Sequence, residues 1–209
     1  MKLGIPVYER VDLLDVAGPY EMFKWVDPKK ALETIILSED GGPVTSVNGL
    51  RFEAHSSFAA NPCLDVLWVP GGDPKALQAM MRKPESAYFT YLRAVAPKAK
   101  WVCSVCEGAL LLARAGLLDG HKATTHWAYV KCLQKFPAID VDLTHPRFVE
   151  SGNRLTGGGI SSGLDEALEL ITLLFDEATA IDVQQTTQYF PRPPVQGSIP
   201  PTPGCMIHW

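Results

Sequence analysis

Four short apolar runs of strand character, separated by amphipathic stretches of helical period, constrain this chain more than any other feature. Residues 2–8, 34–38, 65–69 and 100–104 read as strands, and three of them are nearly all apolar, as strands buried on both faces of a parallel sheet must be. Between and after them, residues 18–26, 74–82, 86–96 and 107–115 carry helical periodicity, and residues 163–175 and 177–189 continue as two further helix patterns. Residues 50–54, and 147–150 with 154–156, have the look of hairpin or edge strands. The alternation predicts an α/β protein with a doubly wound, mostly parallel sheet. Beyond Tyr189 the prolines at 191, 193, 194, 200, 201 and 203 forbid regular structure up to Trp209. The expected organisation is one domain over residues 1–190 and a proline-rich tail over 191–209, with no internal repeat.

At 209 residues and 46% hydrophobic content the chain can bury one large core. Its net charge of −4 arises from scattered acids and bases, with no run of Lys or Arg to neutralise a row of phosphates. Nucleic acid is therefore not an expected partner, and neither is a membrane, because no apolar stretch reaches the length of a bilayer span and the N-terminus lacks a signal-type apolar core. A cytoplasmic protein is expected. Five cysteines, an odd number in a well-cored chain, predict free thiols in a reducing compartment rather than a disulfide framework. His55, His121, His126, His145 and His208 show no ligand spacing with those cysteines, so no metal is expected.

The stretch Trp101-Val-Cys-Ser-Val-Cys106-Glu-Gly-Ala-Leu-Leu-Leu-Ala113 joins a buried strand directly to a helix, with Gly108 and Ala109 as the small residues of a tight elbow. This is a nucleophile-elbow pattern with cysteine in the serine position. A thiol held there faces the carboxyl edge of the sheet and the positive end of the following helix, which predicts a lowered thiol pKa and a thiolate. Cys103 lies on the body of the strand and reads as a core residue, the CxxC spacing being accidental.

Other segments converge on the same edge. Pro70-Gly71-Gly72 follows the third strand directly and can turn backbone N–H groups toward a developing negative charge, and Thr156-Gly-Gly-Gly159-Ile160 does the same before the long late helix. Thr124-Thr-His126-Trp127 sets an imidazole beside an indole at a helix start. Asp15, by itself, reads as the N-cap of the first helix, with Asp12, Leu13 and Leu14 as loop and core before it. Trp68, Trp127, Ile160 and Phe190 are candidate pocket-lining residues.

In this order Leu14-Asp15-Val-Ala-Gly-Pro19, Val69-Pro-Gly-Gly72, Ser104-Val-Cys106, Ala115-Gly-Leu-Leu118, Ala123-Thr-Thr-His-Trp-Ala128 and Thr156-Gly-Gly-Gly-Ile160, with Gly163 and Asp165, resemble the ThiJ/PfpI superfamily, the cysteine-bearing relatives of class I glutamine amidotransferases. Within it, the sequence is most similar to the isonitrile (isocyanide) hydratases, over about residues 3–189. The resemblance implies a flavodoxin-like three-layer sandwich, usually a homodimer, with a carboxylate from the first helix hydrogen-bonded to the elbow cysteine. It further implies cofactor-free hydration of an isonitrile to an N-substituted formamide, with Cys106 as nucleophile and Asp15 as proton shuttle. Gly71, Gly72, Gly159, Ile160 and Trp127 are then substrate-contacting candidates, the N–H groups of Gly72 and Glu107 steady the developing charge, and His126 plays a supporting part near the cysteine.

Glu107 departs from the pattern, since the residue after the nucleophile is commonly Thr in the hydratases and His in protease-like branches. Either it pairs with Asp15 beside the thiol, raising one carboxyl pKa, or it points to solvent and favours the helix N-terminus. Two rival functions stay open. A similar Ala-Thr-Thr-His-Trp run occurs in the sensor domains of AraC-type regulators, which bind ligands without turnover, but those continue into a helix-turn-helix domain and this sequence shows no basic recognition helix. A thiol sensor requires only an exposed cysteine of low pKa.

Overall fold

Strand burial explains why the sheet is parallel and why the site lies at its carboxyl edge. The chain, described over residues 1–209 by a computed structural model, runs in the order β1 (Lys2–Pro6), α1 (Leu13–Lys24), β2 (Glu33–Ser38), β3 (Val44–Thr45), β4 (Arg51–Phe52), β5 (Ser56–Ser57), β6 (Val66–Val69), α2 (Pro74–Met81) and α3 (Ala87–Val95). It continues through β7 (Trp101–Ser104), α4 (Gly108–Arg114), β8 (Lys122–Ala123), α5 (Val130–Leu133), β9 (Asp140–Val141), β10 (Phe148–Ser151), β11 (Arg154–Gly157), α6 (Ser162–Leu174) and α7 (Glu177–Thr186). Seven strands form one sheet in the order β10-β11-β7-β6-β1-β2-β5. Every neighbouring pair is parallel except β10 with β11, which form the expected hairpin. All four residues of β6, and all but the first of β1 and of β7, are buried, as central strands covered on both faces require.

Helices complete a flavodoxin-like sandwich. On one side α6 packs against α1 and α7, and α4 packs against α2 and α5. The strand at residues 51–52 pairs with β3 rather than with the main sheet, and β8 with β9 makes a second small ladder. No helix is long and apolar enough to cross a membrane.

Two expectations fail here. The first helix begins at Leu13, five residues before Gly18, and its N-cap is Asp12, whose carboxylate accepts the Leu14 N–H at 3.1 Å. Gly18 and Pro19 weaken the helical signal, yet both lie inside α1. Nor are all the cysteines free: Cys132 on α5 is bonded to Cys205 in the tail, and Cys63, Cys103 and Cys106 are the unpaired thiols. The tail lacks regular structure, as its prolines dictate, but it returns to the domain, where Ile207 is fully buried and Trp209 stacks on Phe136 with ring centroids 5.4 Å apart.

Candidate active site

The chain turns so sharply between β7 and α4 that Cys106 adopts φ = 57°, a left-handed conformation that costs a non-glycine residue on the order of 1–2 kcal/mol. Three contacts from three segments hold it there. The Cys106 N–H donates to the Gly158 carbonyl at 2.8 Å, the Val105 N–H to the Val69 carbonyl at 3.1 Å, and the Thr125 hydroxyl to the Cys106 carbonyl at 2.7 Å. Gly108 is the residue that lets α4 start so close to β6, because a Cβ there would overlap the Val69 carbonyl oxygen.

Two carboxyls reach the thiol from different elements. Asp15 stands in the first turn of α1 and Glu107 on the elbow itself, and with Cys106 they form a cluster whose polar atoms lie within 4.8 Å of one another. All three residues are buried. Pro19 contributes indirectly: it has no N–H for the Asp15 carbonyl four residues earlier, and the Trp68 indole fills that position, its Nε1–H donating to Asp15 O at 3.2 Å. Asp15 is thus held by its main chain through Trp68 and by its side chain through the Gly71 N–H, which donates to Oδ2 at 2.8 Å. Trp68 is a fully buried core residue, and Phe190 is exposed on the surface.

Burial dominates the electrostatics. It pushes the Asp15 carboxyl well above the usual range, the Glu107 charge adding to it and the Gly71 N–H opposing it. Burial also pushes Glu107 up to about 7, against the hydrogen bonds it receives from Cys106, from its own backbone and from Gly72. The Cys106 thiol is raised too, by burial and then by the two neighbouring carboxylates, while the Ile160 N–H pulls it down. The expected thiolate is therefore corrected. Helix α4 is only seven residues long, and its terminus does not outweigh two buried acids beside the sulfur. Burial thus biases both carboxyls toward their protonated forms and Cys106 toward the thiol. Of the two readings left open for Glu107, the paired one is correct.

Gly71 and Gly72 were expected to present free N–H groups to a substrate. Their N–H groups are instead taken by Asp15 and Glu107, and a Cβ on Gly71 would lie 2.5 Å from Glu107 Oε2 and 3.0 Å from Asp15 Oδ2. These glycines seat the acids. The same backbone donors, with the Ile160 N–H on the sulfur, give the cluster the character of a proton and anion site rather than a cage for a cation. His126 is half-buried, its Nδ1 accepts the Ala128 N–H at 3.2 Å, and burial lowers its pKa. It makes no hydrogen bond to Cys106, so no Cys–His dyad exists, and its ring instead packs on Gly159, where a Cβ would come within 2.5 Å. Gly159, Ile160, Trp127 and His126 do share the wall of one cleft of about 480 Å3 beside the elbow, together with Leu14 and Ile199.

One buried acid near the site is absent from the sequence expectations. Glu166 on α6 is fully buried, pushed well above the usual carboxyl range by burial and by Asp15, and a Cβ on Gly157 would collide with it. Its signal was present, since it falls on the same buried stripe as Gly163, Ala167 and Leu170, at positions i, i+3, i+4 and i+7 of the helix.

The fold and the site together define a class of α/β sandwich proteins that set a cysteine on a strained elbow beside a carboxyl from the first helix. The chain belongs to the DJ-1/PfpI family, whose sequence profile matches residues 1–173. It is 38% identical over 202 residues to isonitrile hydratase from Pseudomonas putida, covering 97% of this chain and 84% of that one. It is also 30% identical to the HTH-type transcriptional regulator CdhR from Pseudomonas aeruginosa, covering 72% of this chain but 43% of the regulator. Among solved structures, a ThiJ/PfpI family protein from Pseudomonas syringae superimposes with a TM-score of 0.84 at 33% identity, over 93% of this chain and 77% of that one. Oxidized DJ-1 from Toxoplasma gondii superimposes with a TM-score of 0.74 at 25% identity, over 90% and 98% of the two chains.

Proposed function

We propose that the protein hydrates isonitriles to N-substituted formamides without a cofactor. The observation that carries this is the buried thiol flanked by two carboxyls that burial pushes toward their neutral forms, because adding S–H across a terminal isonitrile carbon needs a base for the sulfur and an acid for the carbon. Likeness to the isonitrile hydratase supports the choice of substrate class.

Glu107 accepts the Cys106 proton as Sγ bonds to the isonitrile carbon, and the neutral Asp15 gives its proton to that carbon, leaving R–N=CH–S–Cys106. Water then adds to this carbon, its proton passing to Asp15 while Glu107 returns a proton to nitrogen. The C–S bond breaks as the carbonyl forms, and the hydroxyl proton reaches sulfur through Glu107. The sum is R–NC plus H2O to R–NH–CHO, with each residue restored. The Ile160 N–H, already directed at the sulfur, stabilises the negative charge that develops there. Ile160 and Trp127 supply apolar walls for the N-substituent, and His126, neutral and bonded to Ala128, shapes the cleft without moving a proton.

With Glu107 as base, kcat/KM rises through pH 7 as its carboxyl ionises. Glu107→Gln removes this limb and leaves a flat, low profile, which a pH series on both proteins reads directly. Occupancy of the cleft is tested by alkylation: a saturating alkyl isonitrile protects Cys106 from iodoacetamide, followed by mass at the Cys106 peptide. An alkylation rate that isonitrile leaves unchanged overturns the assignment. Tight binding of isonitrile without formamide points instead to a ligand-sensing role of the kind the regulators suggest. A thiol sensor finds less support, as Cys106 is buried and its pKa is raised rather than lowered.

A further inference from the structure

The cleft beside the elbow, whose lining residues Gly158 and Thr125 are hydrogen-bonded to the Cys106 backbone, takes one residue from the tail. Ile199, half-exposed on the tail, lines the cleft together with Trp127, Ile160 and Leu14. Although irregular, the tail is fastened to the domain beyond a stiff segment. Downstream of Ile199, Cys205 is bonded to Cys132 on α5, and Ile207 is fully buried. The Arg82 Nε–H donates to the His208 carbonyl at 3.2 Å, the His208 N–H donates to Gln78 Oε1 at 3.1 Å, and Lys135 Nζ sits 4.9 Å above the Trp209 ring. Between Ile199 and Cys205 stand Pro200, Pro201 and Pro203, which restrict the backbone to extended conformations. Thr202 Oγ1 lies 3.5 Å from His145 Nε2, and His145 belongs to the cleft as well. The anchor at Cys205 is thus transmitted to Ile199 rather than lost in a flexible linker.

We propose that Ile199 is a specificity-determining residue, strapped across the approach to Cys106 by the Cys132–Cys205 bond and excluding electrophiles with bulky substituents. The substrate's name rests on the hydratase assignment, but access to the thiol does not, and any electrophile reports it. An aliphatic side chain on the rim of a substrate path discriminates by size and leaves small reagents unaffected.

The test uses the full chain in a Cys63→Ser background, since Cys63 is the exposed free thiol. Alkylation of Cys106 by iodoacetamide and by a bulky N-arylmaleimide is timed at the Cys106 peptide for that parent, for Ile199→Ala and for Cys205→Ser. The expected result is a rise of about tenfold in the maleimide rate in both variants, with the iodoacetamide rate within about twofold of the parent. Unchanged maleimide rates overturn the proposal. So does an equal rise for both reagents, which reports general loosening, and so does a response of Cys205→Ser without one of Ile199→Ala. If the protein makes no formamide yet the maleimide selectivity shifts as expected, the hydratase assignment fails and the strap stands.

Discussion

Asp15→Asn lowers kcat/KM for isonitrile hydration by roughly 10²–10⁴-fold, the range general acid–base catalysis commands, while the protein stays folded. Asparagine keeps the shape of the neutral carboxyl and retains an oxygen to accept the Gly71 N–H, which now meets Oδ2 at 2.8 Å. It also leaves the bond from Trp68 to the Asp15 carbonyl intact. Only the transferable proton is lost. Burial and then the Glu107 charge favour the protonated form of Asp15, which suits it as the acid for the isonitrile carbon. Circular dichroism and a thermal melt establish that the variant is folded, and steady-state kinetics reads the loss. A decrease of less than tenfold in a folded variant would remove Asp15 from the chemistry.

Gly108→Ala produces the largest loss of stability among single-methyl changes at the site, together with loss of thiol reactivity. The added Cβ collides with the Val69 carbonyl oxygen, and β6 has little freedom to retreat because it lies between β7 and β1 in the middle of the sheet. Overpacking of this kind costs roughly 1–3 kcal/mol or more, about 2–4 °C in Tm for each kcal/mol in a chain of this size. The displacement passes to the elbow, since Val105 is bonded to the same Val69 carbonyl and Cys106 follows it in left-handed backbone. Gly197→Ala, where a Cβ meets nothing within 4 Å, is the control and should change stability by no more than about 0.5 kcal/mol. Equal melting of the two variants would contradict the close approach of α4 to β6.

Features dictated by local sequence were legible, and those created by distant segments were not. The strands β1, β2, β6 and β7 fall within a residue or two of their expected bounds because each is a short apolar run bordered by polar or helical sequence. Cys106 stood out because a buried strand runs without a spacer into Gly108 and Ala109, and its positive φ is what such a turn demands. The start of α1 was hidden by Pro19, whose lost hydrogen bond is made good by Trp68, a residue 53 positions from Asp15. Glu107 could not be oriented from its own surroundings, because the N–H groups that receive its carboxyl and that of Asp15 come from Gly71 and Gly72. The thiol's direction of shift was misjudged for the same reason: a helix terminus is local in sequence, whereas Asp15 reaches the sulfur through the fold. Cys132 and Cys205 are separated by 73 positions, and spacing says nothing about whether two Cα atoms approach closely enough to be bridged.

Formamide production by the purified protein tests the central claim most directly, with an aryl or alkyl isonitrile at neutral pH and the wild type run beside Cys106→Ala. Steady formation of one N-substituted formamide per isonitrile consumed by the wild type, reduced by at least about 10⁴-fold in Cys106→Ala, is the expected result. No formamide from a folded wild type whose Cys106 still accepts iodoacetamide, or equal formation by both proteins, would show that the elbow thiol is not an isonitrile-hydrating nucleophile.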